Sequence, residues 1–103
     1  MSEVYRALAD PTRRRVLELL REREMSAGEI AEHFDLAKPT LSGHFAVLRE
    51  SGLVTSERSG TTITYRLNVS VLEEALMALM GAFKFLDKTP AVAAGDRLPK
   101  GES

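Results

Sequence analysis

Residues 26–68 read SAGEIAEHFDLAKPTLSGHFAVLRESGLVTSERSGTTITYRLN, and the hydrophobic period changes once along them. Ser26 can cap a helix, and Glu29 three residues on completes a capping box. Ile30, Ala31 and Phe34 then form an apolar stripe that ends near Asp35. From Ala37 to Ser51, Leu41, Phe45 and Leu48 recur at i, i+4 and i+7, and Gly52 stands where a helix stop belongs. Beyond Gly52 the period drops to two. Leu53 to Arg58 and Thr62 to Asn68 are rich in β-branched residues, with Ile63, Tyr65 and Leu67 alternating against Thr62, Thr64 and Arg66. Ser59-Gly60-Thr61 between them is a hairpin turn signal. Two short helices joined by a tight turn, then a β-hairpin, predict a helix-turn-helix with a wing.

Toward the N-terminus, Asp10-Pro11 punctuates the chain. Asp caps well, and Pro fits the first helical position because its missing N–H would be unpaired there anyway. The following helix runs to about Arg23. Val16, Leu17, Leu19 and Leu20 form its apolar face, and Arg13, Arg14, Arg15, Glu18, Arg21 and Glu22 form the rest. Val4, Tyr5 and Leu8 at helical spacing add a short first helix. Toward the C-terminus, Val71 to Leu86 places Leu72, Leu76, Leu79, Phe83 and Leu86 on one stripe. Residues 88–103, with two Pro and two Gly, read as a disordered tail. The expected class is mainly α with a β-hairpin wing, in the order α-α-α-α-β-β-α, as one winged helix-turn-helix domain over 1–87.

The 103 residues carry 14 Lys+Arg against 15 Asp+Glu, a net charge of −1, with 44% hydrophobic and 28% charged residues. This is the balance of a folded single domain. So small a protomer buries a modest share of its surface, and oligomerisation would help it. The absence of Cys excludes disulfides, thiolate metal sites and cysteine nucleophiles. The start, Met1 to Asp10, lacks an apolar signal core. The longest apolar stretch, Val71 to Leu86, contains Glu73, Glu74 and Lys84 and is too short to span a bilayer. A cytoplasmic protein without membrane insertion is expected. No paired carboxylates, Gly-rich phosphate loop or Ser/His/Asp constellation points to an enzyme.

A net charge near zero gives no support to a polyanion binder, so the placement of charge decides. With 100° per residue from Leu41, Phe45 lies near 40° and Leu48 near 340°, which centres the core face close to zero. The opposite face holds Pro39, Ser42, Gly43 and Ala46, flanked by Lys38 and Arg49. Small residues let a helix backbone approach bases, hydroxyls bond donors or acceptors, and Lys reaches guanine or phosphate. From Ala37 to Leu67, Lys38, Arg49, Arg58 and Arg66 stand against Glu50 and Glu57, and no acid occurs from Ala37 to Arg49. On the hairpin, Arg58 stands beside the turn, with Ser59, Thr61 and Thr62 among several hydroxyls. That suits phosphate or minor-groove contact. The threonines equally suit a solvated hairpin with high β propensity.

Asp-Pro-Thr-Arg-Arg-Arg at 10–15, Gly-Glu-Ile-Ala at 28–31, Lys-Pro-Thr-Leu-Ser-Gly-His-Phe at 38–45, Leu-Arg-Glu-Ser-Gly-Leu-Val at 48–54 and Tyr-Arg-Leu-Asn at 65–68 resemble the ArsR/SmtB family of bacterial winged-helix repressors. The resemblance covers about residues 3–87 and is nearest to the small SdpR-like autorepressors. It implies a homodimer on a palindromic double-stranded DNA operator, repressing its own operon. It also implies base contacts from Lys38, Pro39, Thr40, Ser42 and Gly43. Family wings usually carry Arg just after the turn glycine. Thr61 stands there in this chain, so a minor-groove arginine would have to be Arg58.

Many members of that family sense metals, through a Cys-x-Cys pair or through His and carboxylates on paired terminal helices. Neither set is present: there is no Cys, and the terminal helix has Glu73, Glu74 and Asp87 but no His. Carboxylates alone are poor transition-metal ligands. His44 falls toward the core side of its helix, which favours packing and hydrogen bonding, and His33 beside Glu29 and Glu32 belongs to a solvated face. No metal site and no cofactor are expected. Leu72, Leu76, Leu79, Met80, Phe83 and Leu86 exceed what one small core needs, and Val4, Tyr5 and Leu8 add a second stripe. Each such side chain contributes about 1.5–3 kcal/mol when fully covered, so the first and last helices are expected to pair across a twofold axis. An effector at that interface, near the adaptable Met77 and Met80, remains a second reading. A winged helix working only through protein–protein contact is a third. The sequence leaves open any effector or anti-repressor partner.

Overall fold

Ser2–Leu8 (α1) opens the chain in the computed structural model, which describes residues 2–84. Pro11–Glu22 (α2) follows. The Asp10 carboxylate accepts the Arg13 backbone N–H at 3.0 Å, and Pro11 occupies the first helical turn. That hydrogen bond, with the Arg13 guanidinium as a nearby cation, holds the Asp10 carboxyl below its ordinary range against the opposing effect of partial burial. The cap therefore works as an ionised acceptor.

Met25–Ser26 is a two-residue strand (β1), and Ala27–Ala31 is a short helix (α3). The capping box forms: the Glu29 N–H donates to Ser26 Oγ at 3.1 Å, and the Ser26 N–H donates to Glu29 Oε1 at 2.8 Å. The helix ends at Ala31, short of the expected Asp35. His33 and Phe34 donate to the carbonyls of Ile30 and Ala31, a tightened turn that departs from α geometry.

Lys38–Ser51 (α4) ends at Gly52, whose φ of 84° supplies the left-handed cap. Val54–Ser59 (β2) and Thr62–Leu67 (β3) form the hairpin across a Gly60-Thr61 loop. Only Gly60 has positive φ there, 62°, the pattern of a type II′ hairpin turn.

The sheet has three strands, not two, in the order β1-β3-β2. Met25 pairs with Tyr65 and Ser26 with Thr64. The element order is therefore α-α-β-α-α-β-β-α. Two residues cannot display a period of two, so β1 reads from sequence only as a helix opener. Val69–Ala82 (α5) starts two residues before the expected Val71, and its end precedes the expected Leu86. Leu86 and the tail at 88–103 lie outside the described residues. Among the described residues no helix is long and apolar enough to cross a membrane.

The chain divides after Leu72 into two units. In the first, Ala7 of α1, Val16 and Leu20 of α2, Ile30 of α3, Leu41 and Leu48 of α4, and Leu53 form a core at most 4% exposed. Phe45 stacks on Tyr65 with ring centroids 4.4 Å apart, which ties α4 to β3. In the second unit Ala75 is buried, while Leu76, Met77, Leu79 and Phe83 remain exposed.

Candidate nucleic-acid interface

The start of α4 carries no acid and has no side-chain cap, since Ala37 occupies the cap position. Its N-terminal N–H groups therefore keep their partial positive charge. Leu41, Phe45 and Leu48 are buried, which turns the opposite face outward. Lys38, Pro39, Thr40, Ser42, Gly43 and Arg49 are exposed there, and Ala46 is half-buried. A Cβ built on Gly43 meets nothing within 4 Å, so the backbone is bare at that point. Between α3 and α4 lies a cleft of about 240 Å³ lined by Ala27, Gly28, Ala31, Lys38, Leu41, Ser42 and Phe45. Two members of the expected reading set thus line the gap between the two helices.

On the hairpin only Val54 and Tyr65 are buried, and Arg58, Ser59, Thr61 and Thr62 are exposed. The register splits this set. Arg58 pairs with Ile63 and shares a face with Ser56 and Tyr65, whereas Ser59 and Thr62 pair on the other face. Arg58 is therefore on the face whose Tyr65 stacks against α4. Burial pushes the Tyr65 phenol up, and the charges of Arg49 and Arg58 pull it back, so both cations act on one hydroxyl.

The local charge surplus is smaller than the sequence count. Arg66 donates twice to Glu24, at 2.6 and 3.1 Å, and is neutralised by it. Among the described residues Lys38, Arg49 and Arg58 form no ion pair. Of the four cations between Ala37 and Leu67, these three are left to meet an anion, beside Glu50 and Glu57, which also form no ion pair among the described residues.

His44 is half-buried, with Nδ1 at 3.1 Å from Arg13 Nη1 and 4.0 Å from Asp10 Oδ2. A packed, hydrogen-bonded role was expected for it. The partner Arg13, read from sequence as part of a solvated face, was missed. The orphan carbonyls at the end of so short a first helix were the available signal. Among the described residues no group of three His, Cys, Asp or Glu could hold a metal ion. Val4, expected to cover a partner subunit, is 5% exposed within the protomer, so of that stripe Tyr5 and Leu8 keep surface.

A helix whose outer face is bare and free of acid from Lys38 to Arg49, with cations at its flank and an exposed two-stranded wing, defines a winged helix-turn-helix DNA-binding protein. Residues 10–56 match the model of the arsR family of bacterial regulatory proteins. The chain is 42% identical to the transcriptional repressor SdpR of Bacillus subtilis over 76 residues, 74% of this chain and 84% of that one. It is 34% identical to the HTH-type transcriptional regulator CmtR of Mycobacterium tuberculosis over 103 residues, 86% of that protein. A crystal structure of an ArsR family transcriptional regulator superposes with a TM-score of 0.76 at 28% identity, covering 84% of this chain and 94% of that one. The chain belongs to the arsR family and is a DNA-binding transcriptional repressor.

Proposed function

We propose that the chain acts in the cytoplasm as a homodimer on a palindromic operator, represses its own operon, and has no metal sensor of its own. Lys38, Pro39, Thr40, Ser42 and Gly43 read base edges, with Ala46 leaving room for the groove wall. Arg49, Arg58, Ser59, Thr61 and Thr62 meet phosphates or the minor groove. Tyr5 and Leu8 on α1, Leu72, Leu76, Leu79 and Met80 on α5, and Phe83 just beyond its end supply the surfaces that meet the partner subunit. Twofold symmetry sets the two α4 helices one DNA turn apart, about 34–36 Å.

The observation that carries this reading is the exposed face of α4, free of acid from Lys38 to Arg49 with Glu50 only in its last turn, bare at Gly43 and flanked by Lys38 and Arg49, which form no ion pair among the described residues. A near-neutral chain gains little from phosphates alone, so its affinity rests on base contacts and a few cations. The test is a polarisation titration of the promoter duplex of its own gene against a scrambled duplex. Tight, salt-sensitive preference for the promoter is expected, and equal affinity for both rejects the reading. Ser42→Ala and Lys38→Ala each weaken operator binding, and Arg49→Ala lowers the salt slope by about one. Wild-type operator affinity in both the Ser42 and Lys38 variants rejects the reading face.

A further inference from the structure

Arg13 belongs to α2 but joins three elements. Its Nε donates to the Ala7 carbonyl at 3.0 Å and its Nη2 to the Arg6 carbonyl at 2.9 Å, both in the last turn of α1. Its Nη1 reaches Nδ1 of His44 on α4 at 3.1 Å. Its own N–H is fixed by the Asp10 carboxylate at 3.0 Å. A guanidinium has donors only, so the facing Nδ1 accepts and the ring proton sits on Nε2. Two carbonyls of α1 keep the fork from swinging away. Only a planar group with several donors serves all these directions at once.

We infer that Arg13 and His44 are a positioning pair that sets the rotation of α4 about its own axis, and with it the register of the reading face on DNA. The inference rests on the DNA-binding reading above. The other buried anchors of α4 are Leu41 and Leu48, whose apolar burial is non-directional, and Phe45, whose ring stacks on Tyr65 one turn further along the helix. The helix start has no side-chain cap to fix it. His44 lies at the flank of the buried stripe, about 60° from Leu41, and directly follows Ser42 and Gly43. On a helix about 10–12 Å across, a rotation of about 20° moves surface atoms by about 2 Å. Hydrogen bonds to base edges do not survive that displacement.

The experiment uses the full chain as His44→Leu, His44→Asn and Arg13→Lys. Each variant is titrated against the duplex that the wild type selects from a randomised pool, and against a scrambled duplex. Leu fills the volume without an acceptor, Asn restores an acceptor near the place of Nδ1, and Lys keeps the charge without the fork. Affinity for the selected duplex falls about tenfold in the Leu and Lys variants, the scale of one lost base contact. Affinity for the scrambled duplex stays put, and Asn recovers most of the loss. Nitrogen shifts of wild-type His44 report a bare Nδ1 and a protonated Nε2. The inference is overturned if the Leu variant keeps the wild-type ratio, if both affinities fall together, if Asn does no better than Leu, or if Nδ1 carries the proton. A wild type that selects no duplex at all overturns the DNA-binding reading as well, which separates the two failures.

Discussion

Gly43 sits in the middle of a helix, where a residue without a side chain destabilises the helix by about 0.5–1 kcal/mol relative to Ala. Among the described residues nothing needs the space, because a Cβ there meets no atom within 4 Å and no positive φ is involved. The bare backbone therefore costs stability with no return within the fold, and the return that the proposed function gives it is close approach to DNA. Gly43→Ala should raise the thermal midpoint while weakening operator binding, as read by melting curves and polarisation on one preparation. A stabilised variant that binds its operator like the wild type would show that the backbone at 43 never nears a base. Arg13 makes the opposite case. It was counted among the polar residues of α2, yet its side chain is spent on two carbonyls of α1 and a ring of α4.

At the scale of elements, the junction of α1 and α2 shows how short helices are closed. The first has seven residues, and its last carbonyls accept from Arg13 and Arg14, the latter donating to the Leu8 carbonyl at 2.8 Å. The second starts on the Asp10 cap. Asp10→Ala should cost about 1 kcal/mol near neutral pH, the usual worth of such a cap. The Asp10 carboxyl is held low in the folded chain, chiefly by the Arg13 N–H. Its contribution is complete above the unfolded Asp value of about 3.9. It is lost as pH falls through the lower folded value, because protonation removes the charged acceptor. Urea melts of both proteins should thus diverge at pH 7 and converge in acid, and a gap that stays constant into acid contradicts the ionised cap. Helices α2 and α4 and the hairpin were legible because caps and periodicity act over a few residues. The strand β1 was not, since its meaning lies in pairing with Tyr65 and Thr64.

For the whole molecule, the near-neutral charge conceals a division. Acids and bases pair on α2, as Arg15 with Glu18, and on the hairpin, as Arg66 with Glu24, while among the described residues Lys38 and Arg49 of α4 and Arg58 of the wing form no ion pair, nor do the neighbouring Glu50 and Glu57. Leu79 on α5 and Phe83 just beyond its end are 40% and 70% exposed, an unusual cost for so small a chain unless a second subunit covers them. Leu79→Glu with Phe83→Glu should sediment as a monomer with unchanged helical content, because neither side chain is part of the buried core. The double variant should also lose most of its affinity for a duplex bearing both half-sites. A double variant that stays dimeric at micromolar concentration would move the interface off this helix.

The sequence by itself determined the helix-turn-helix, the wing, the capping box at Ser26 and Glu29, and the outer face of α4. Each depends on spacing within a turn or two of helix or one hairpin, where local geometry and burial of one apolar stripe leave few alternatives. Only the tertiary structure decided the third strand, the neutralisation of Arg66 by Glu24, and the bridge from Arg13 to His44. Those residues are brought together across long stretches of chain, 42 positions for Arg66 and Glu24 and 31 for Arg13 and His44. A hydrogen bond over such a separation has no periodic signature. It exists only once hydrophobic burial has already placed the helices and strands beside one another.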